Sequence, residues 1–217
     1  MQDLRGLTVE DLKSYYRNYY SPNNAFVVVV GDFESKQMLA KIKATFGRIP
    51  RGPEPPPVTI KEVPQRGERR VTLRKEAKLP YLLMYYHVPT LRNPDGYALD
   101  LLTVILAGGR SSRFFQELVY KQRIARNASA DYHGLSIDPT LFYITAQAMP
   151  GKSGTELESA IDRLIEQIKS EPVGDRELRK AKNQTVSDIV FRQDRIFGQG
   201  MRIGRYELSV GRKYMDH

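Results

Sequence analysis

The sequence predicts an α+β protein, with an antiparallel sheet and helices packed on it in two layers. Three observations lead there. Strand-like segments come in neighbouring pairs, residues 69–75 with 81–88 and residues 128–132 with 141–148, and no helix separates the members of a pair. Such spacing suits antiparallel hairpins. Helical patterns also come in pairs between and after the strands, whereas a doubly wound nucleotide fold would alternate strand and helix throughout. Finally, 41% of the 217 residues are apolar, enough for a substantial core.

The first helix is expected from LTVEDLKSYYRNYY, where Thr8 can cap and Glu10 and Asp11 suit the positive helix end. Leu12, Tyr15, Tyr16 and Tyr19 share one face. Ser21-Pro22-Asn23-Asn24 is a stop and turn. Residues 25–30, with four consecutive valines, read as a strand covered on both faces. Residues 34–46 have helical spacing, and Gly47 is placed to end them.

Six of the chain's 13 prolines fall in the next stretch, RIPRGPEPPPVTIKEVPQRG. Proline at that density favours an extended, semi-rigid connection. A domain boundary is expected here, near Pro57, giving domains 1–57 and 58–217; the alternative is a long loop within one domain. Beyond it, residues 69–75 alternate as a strand and 81–88 form a second, more buried one. Pro94-Asp95 opens a helix that Gly108-Gly109 ends, and Ser112 is positioned to cap the next. Two strands follow, then an amphipathic helix over 155–168, a long helix from Asp175 to about Arg195, and a last helix over 196–208 that Gly198, Gly200 and Gly204 weaken.

Composition excludes several functions. The chain has no cysteine, so disulfides, zinc fingers and thiol catalysis are ruled out. No apolar run approaches the roughly 20 residues of a membrane span. The opening MQDLRGLTVEDL lacks the apolar core of a signal peptide, and the compartment stays open. The net charge of +9 comes from basic residues spread among acids, which reads as a solvated basic surface rather than a nucleic-acid site.

Local motifs for catalysis are lacking. Gly108-Gly109-Arg110-Ser111-Ser112 does not have the Gly-Lys-Ser/Thr ending of a phosphate loop and follows a helix, not a strand. His87, His133 and His217 have no partner at metal-ligand spacing, so no metal site is expected in this chain. His87, within an apolar strand, reads as a core or edge histidine.

Two long stretches carry a family resemblance. LTVEDLKSYYRNYYSPNNAFVVVVGDF resembles the pattern "lT.eDl..fy..yY.P.N..lvvvGd" of the insulinase/pitrilysin-type zinc metallopeptidases. LLTVILAGGRSSRFFQELVYKQRIARNASA resembles that family's "l..iLgGg.sSrLfqeLRekrgLaYsvsA". The resemblance implies that residues 1–57 are the end of one peptidase-like domain and its linker. It further implies that 58–217 are most of a second, inactive, chamber-forming domain that stops early. The family's zinc motif is His-x-x-Glu-His, whose histidines, with a later Glu, hold zinc while the motif Glu activates water. It lies upstream of the first stretch and is absent here. Zinc is therefore expected in a longer parent protein, and this chain alone should be inactive.

Many members carry an Arg/Tyr pair in "LRekrgLaY" that meets substrate; Val119 and Arg126 occupy those positions. The pair's role does not transfer, but Arg126 is the candidate substrate-binding residue, the alternative being a solvated arginine beside Lys121 and Arg123. Leu118-Val119-Tyr120-Lys121-Gln122 is similar to the zinc-bearing partner of bacterial pairs that divide the labour, implying a heterodimer with a second peptidase-like subunit. Peptides in this family add a strand to an exposed sheet edge. Some members keep the fold as scaffold subunits, notably core proteins of a respiratory complex, and that is the alternative function. Self-association is a further expectation, because a partial domain exposes apolar surface and strand edges.

Overall fold

The computed structural model describes residues 2–58 and 64–211. The chain divides into two compact units, residues 1–73 and 74–217. Between the boundary expected near Pro57 and the unit boundary after Leu73, residues 64–73 form neither helix nor strand.

The first unit holds α1 (Gln2–Gly6), α2 (Val9–Tyr19), a 3-10 turn at Pro22–Asn24 and α3 (Ser35–Phe46). Thr8 caps α2 as expected. Its hydroxyl accepts from the Asp11 amide at 3.2 Å, and its own amide donates to the Asp11 carboxylate at 2.8 Å. The Thr8 hydroxyl also donates to the Asp11 carboxylate at 2.7 Å, and this bond, with the one from the Thr8 amide, stabilises the charged carboxylate and holds Asp11 below the usual aspartate pKa. Asn24 Nδ2 donates to the Tyr19 carbonyl at 2.8 Å and closes the helix end. Two expected strands do not form. Residues 25–30 are outside any strand, and Val27 and Val29 are exposed. Residues 69–75 likewise stay outside the sheet, with Val71 and Leu73 exposed. A strand needs a hydrogen-bonding neighbour as well as a suitable side-chain pattern. Neither segment has one among the described residues.

The second unit is the α+β layer structure. Its order is β1 (Tyr81–Val88), α4 (Asp95–Ala107), a π-helix (Phe114–Lys121), β2 (Ala125–Tyr132), β3 (Thr140–Ala148), α5 (Gly154–Ser170), α6 (Asp175–Gln193) and α7 (Ile196–Ser209). The sheet order is β1-β3-β2, all antiparallel, so β3 is central and β1 and β2 are the edges among the described residues. Register puts Leu82, Ala146 and Ala128 in one row and Met84, Ile144 and Ala130 in the next, all on one face. That face meets Leu106 of α4, Phe114 and Leu118 of the π-helix, and Leu157, Ala160, Ile161 and Leu164 of α5. The α5 residues recur at helical spacing, so one stripe of the helix covers the sheet. A Ser153–Glu156 capping box starts it.

The Gly108–Ser112 turn differs from expectation. Gly109 adopts φ 85°, the left-handed region that favours glycine. Ser112 does not cap the next helix. Its hydroxyl donates to the Gly109 carbonyl at 2.7 Å, closing the turn behind it. Arg113 then pairs with Glu177 of α6, Nε to Oε1 at 2.9 Å and Nη2 to Oε2 at 2.7 Å. This bidentate ion pair ties the turn to α6.

Candidate functional site

Among the described residues of the second unit, the helices cover one face of the sheet and leave the other open. Strand alternation puts Tyr81, Leu83 and Tyr85 of β1 on that open face, and all three are exposed. Opposite them on β3 stand Gln147, Thr145 and Tyr143. Beyond these, β2 contributes Asn127, Ser129 and Asp131. The rows are thus mixed aromatic and polar.

At one end the groups are joined. The Tyr85 and Tyr143 rings lie 6.0 Å apart between centroids, and His133 lies 5.5 Å from Tyr143. Tyr143 Oη is 3.3 Å from His133 Nε2. Desolvation, and then the nearby Asp131 carboxylate, raise the Tyr143 pKa, so its phenol stays protonated at neutral pH. In the next row the Ser129 and Thr145 hydroxyls are 2.7 Å apart, a cross-strand hydrogen bond. The result is a surface of donors, acceptors and ring faces, with backbone groups of β1 and β2 at its edges.

Arg126 reaches this surface through a β-bulge. Ala125 pairs with Ala148 and Asn127 with Gln147, so Arg126 is the extra residue between them. Ala125 is buried on the helix side. The bulge therefore leaves Arg126 and Asn127 together on the open side, where strict alternation would have split them. Arg126 is exposed, and its guanidinium makes no ion pair or hydrogen bond among the described residues. Val119 is elsewhere: it is half-buried on the π-helix and packs against the core. The structure therefore does not place the two motif positions on one surface. Val119 supports the layer beneath, while Arg126 is presented to solvent.

Sequence reasoning missed the Tyr85–Tyr143–His133 group. The available signal was the alternation in Leu141-Phe142-Tyr143-Ile144-Thr145, which marks Tyr143 and Thr145 as facing away from Phe142 and Ile144. His87, read as core or edge, is an exposed residue of the edge strand β1. Among the described residues no group of three or more His, Cys, Asp or Glu is arranged to hold a metal ion. Nor is any described helix long and apolar enough to cross a membrane.

Comparison with known proteins gives this architecture a family. The peptidase M16 inactive domain matches residues 6–185. Zinc protease PqqE of Helicobacter pylori is 31% identical over 194 residues, covering 88% of this chain and 43% of that protein. The crystal structure of a protease from Helicobacter pylori superposes with a TM-score of 0.80 at 27% identity, covering 95% of this chain and 50% of that one. A chain of Complex III2 from Candida albicans has a TM-score of 0.75 at 16% identity over 97% of this chain and 51% of its own, a likeness of fold alone. The chain spans about half the length of the curated relatives it matches. Both quoted motifs, the helix-on-sheet layers and the family match agree: the chain belongs to the insulinase/pitrilysin-type zinc protease family, peptidase M16, and carries its inactive domain.

Proposed function

We propose that this chain is the non-catalytic part of a zinc-dependent metalloendopeptidase that degrades peptides or small proteins. Its open sheet face forms chamber wall against which an extended peptide lies. The observation that carries this reading is the match to an inactive domain in a chain whose relatives are named zinc proteases and are about twice as long. In the parent, zinc and its activating glutamate belong to a preceding peptidase-like domain, of which residues 1–57 are the last part. This chain supplies backbone edges, an aromatic–polar wall and Arg126. A guanidinium without a partner among the described residues suits a peptide carboxylate. The partner is a second peptidase-like subunit, forming a heterodimer; what supports it is the likeness of Leu118-Val119-Tyr120-Lys121-Gln122 to the zinc-bearing half of bacterial pairs.

The purified chain, given zinc and a quenched fluorescent peptide, should show no chelator-sensitive cleavage. It should still bind the peptide saturably, and Arg126→Ala should weaken binding about tenfold, the loss of one charge-assisted contact. Chelator-sensitive turnover by this chain would defeat the non-catalytic reading. Absence of any peptide binding would remove the chamber-wall role. The fold likeness to a chain of Complex III2 favours a second reading, a scaffold subunit that assembles without binding peptide. Absence of peptide binding, combined with stable incorporation into a large complex, would select it.

A further inference from the structure

We infer that the proline-rich connection is not a free tether from its start: through Pro56 it is strapped to α2 and the turn after it by the side chains of Asn23 and Tyr19. Asn23 lies in the 3-10 turn after α2. Its Oδ1 accepts from the Gly52 amide at 3.0 Å, and its Nδ2 donates to the Pro53 carbonyl at 3.1 Å. One side-chain amide thus satisfies a backbone donor and a backbone acceptor on adjacent residues, as a neighbouring strand would. Tyr19, the last residue of α2, adds a bond from its hydroxyl to the Pro56 carbonyl at 3.4 Å. The proline spacing suits this use, because prolines bring no amide hydrogens that would need partners of their own.

The strap lies too close for any residue but glycine at its anchor. A Cβ on Gly52 would stand 2.4 Å from Ser21 Cβ and 3.0 Å from Ser21 Oγ. The same approach buries the Ser21 hydroxyl, which finds no hydrogen-bond partner among the described residues. Losing water there is unfavourable. A chance surface contact would not persist against that cost, whereas the paired Asn23 bonds offset it. The connection therefore starts along a path fixed by Asn23 and Gly52, and residues 52–56 move with α2. This conclusion stands whether or not the peptidase reading holds.

Limited trypsin digestion of the intact chain tests it. The Arg51–Gly52 bond should resist cleavage, while the Arg66–Gly67 bond, in an exposed stretch outside helix and strand, is cut readily. Cleavage in this regime follows the population of the open form. Asn23→Ala should speed cutting at Arg51 about tenfold, which corresponds to about 1.4 kcal/mol, and leave Arg66 unchanged. Ser21→Ala removes the unpartnered hydroxyl and should speed nothing. Equal cleavage at Arg51 and Arg66 in the unaltered chain would overturn the strap. So would an unchanged Asn23→Ala rate, or a Ser21→Ala acceleration matching it, since the latter would mean general loosening of the turn. Should Asn23→Ala unfold the unit, hydrogen exchange of the Gly52 amide in the unaltered chain decides. Protection of at least about tenfold is expected for a bonded amide; exchange at the free-peptide rate would refute it.

Discussion

At Arg123 the backbone takes φ 50°, in the left-handed region, and the residue is not glycine. The chain must turn there to pass from the π-helix into β2, and a β-carbon in that conformation costs about 1–2 kcal/mol. Arg123 is exposed, so its side chain offers little burial to offset the strain. Arg123→Gly should raise stability by about 1 kcal/mol after the added chain entropy of glycine, read as a small upward shift in a thermal melt. A second residue-scale expectation concerns pH. Hydrogen bonding by Arg113 lowers the pKa of Glu177 below its ordinary 4.5, outweighing the opposing effect of burial. A carboxylate with a depressed folded-state pKa stabilises the fold above its unfolded pKa, and that contribution disappears as pH falls through the lower folded value. Stability should therefore be level near neutrality and fall below about pH 4.5 in proportion to this pair, among others. Glu177→Gln should flatten that part of the profile and cost about 1–3 kcal/mol at pH 7, between the ranges for exposed and buried pairs. An unchanged acid limb in the variant would assign the acid sensitivity elsewhere.

Phe114 shows what an element contributes. It is fully buried at the start of the π-helix and belongs to the core under β2 and β3. Phe114→Ala should cost about 3–5 kcal/mol through lost burial and the cavity left behind, measured by denaturant unfolding of the second unit's helical signal. Most elements of this unit were legible in sequence because their periodicity survives into the structure. Leu157, Ala160, Ile161 and Leu164 mark α5 by spacing alone, and Gly108-Gly109 marks the end of α4. The π-helix was not legible: Phe114, Phe115 and Leu118 suit an α-helix equally well, and the wider turn shows in the backbone bonds, as in the Gln122 amide bonding back to the Glu117 carbonyl. The bulge at Arg126 was hidden for a related reason. Two polar residues in succession break alternation, so the strand was expected from Ala128 although it starts at Ala125. The open face was half legible. Arg126 was a candidate through its place in a motif, but the neighbourhood of Tyr85, Tyr143 and His133 depends on cross-strand register, which no single strand's sequence encodes.

On the scale of the whole chain, residues 25–30 illustrate the limit of a local reading. Their valines suit a buried strand, yet burial depends on what lies opposite, and Val27 and Val29 remain exposed. The same holds on the last two helices, where Phe191 is 70% and Phe197 80% exposed. Val186, Ile189 and Val190 of α6 and Ile196 of α7 add to this apolar surface. Large exposed apolar patches favour association, while a net charge of +9 opposes it through mutual repulsion. The two forces respond oppositely to salt. Screening shortens the reach of charge from about 30 Å at 0.01 M to about 3 Å at 1 M, and apolar attraction is not weakened by screening. Self-association should therefore increase from about 0.01 M to about 0.5 M sodium chloride, seen as a rise in apparent mass by light scattering. Phe191→Asp with Phe197→Asp should reduce it at every salt concentration. Association that falls with salt would instead identify pairing of opposite charges as the driving force, and a chain that stays monomeric throughout would show that these faces are too dispersed to act together.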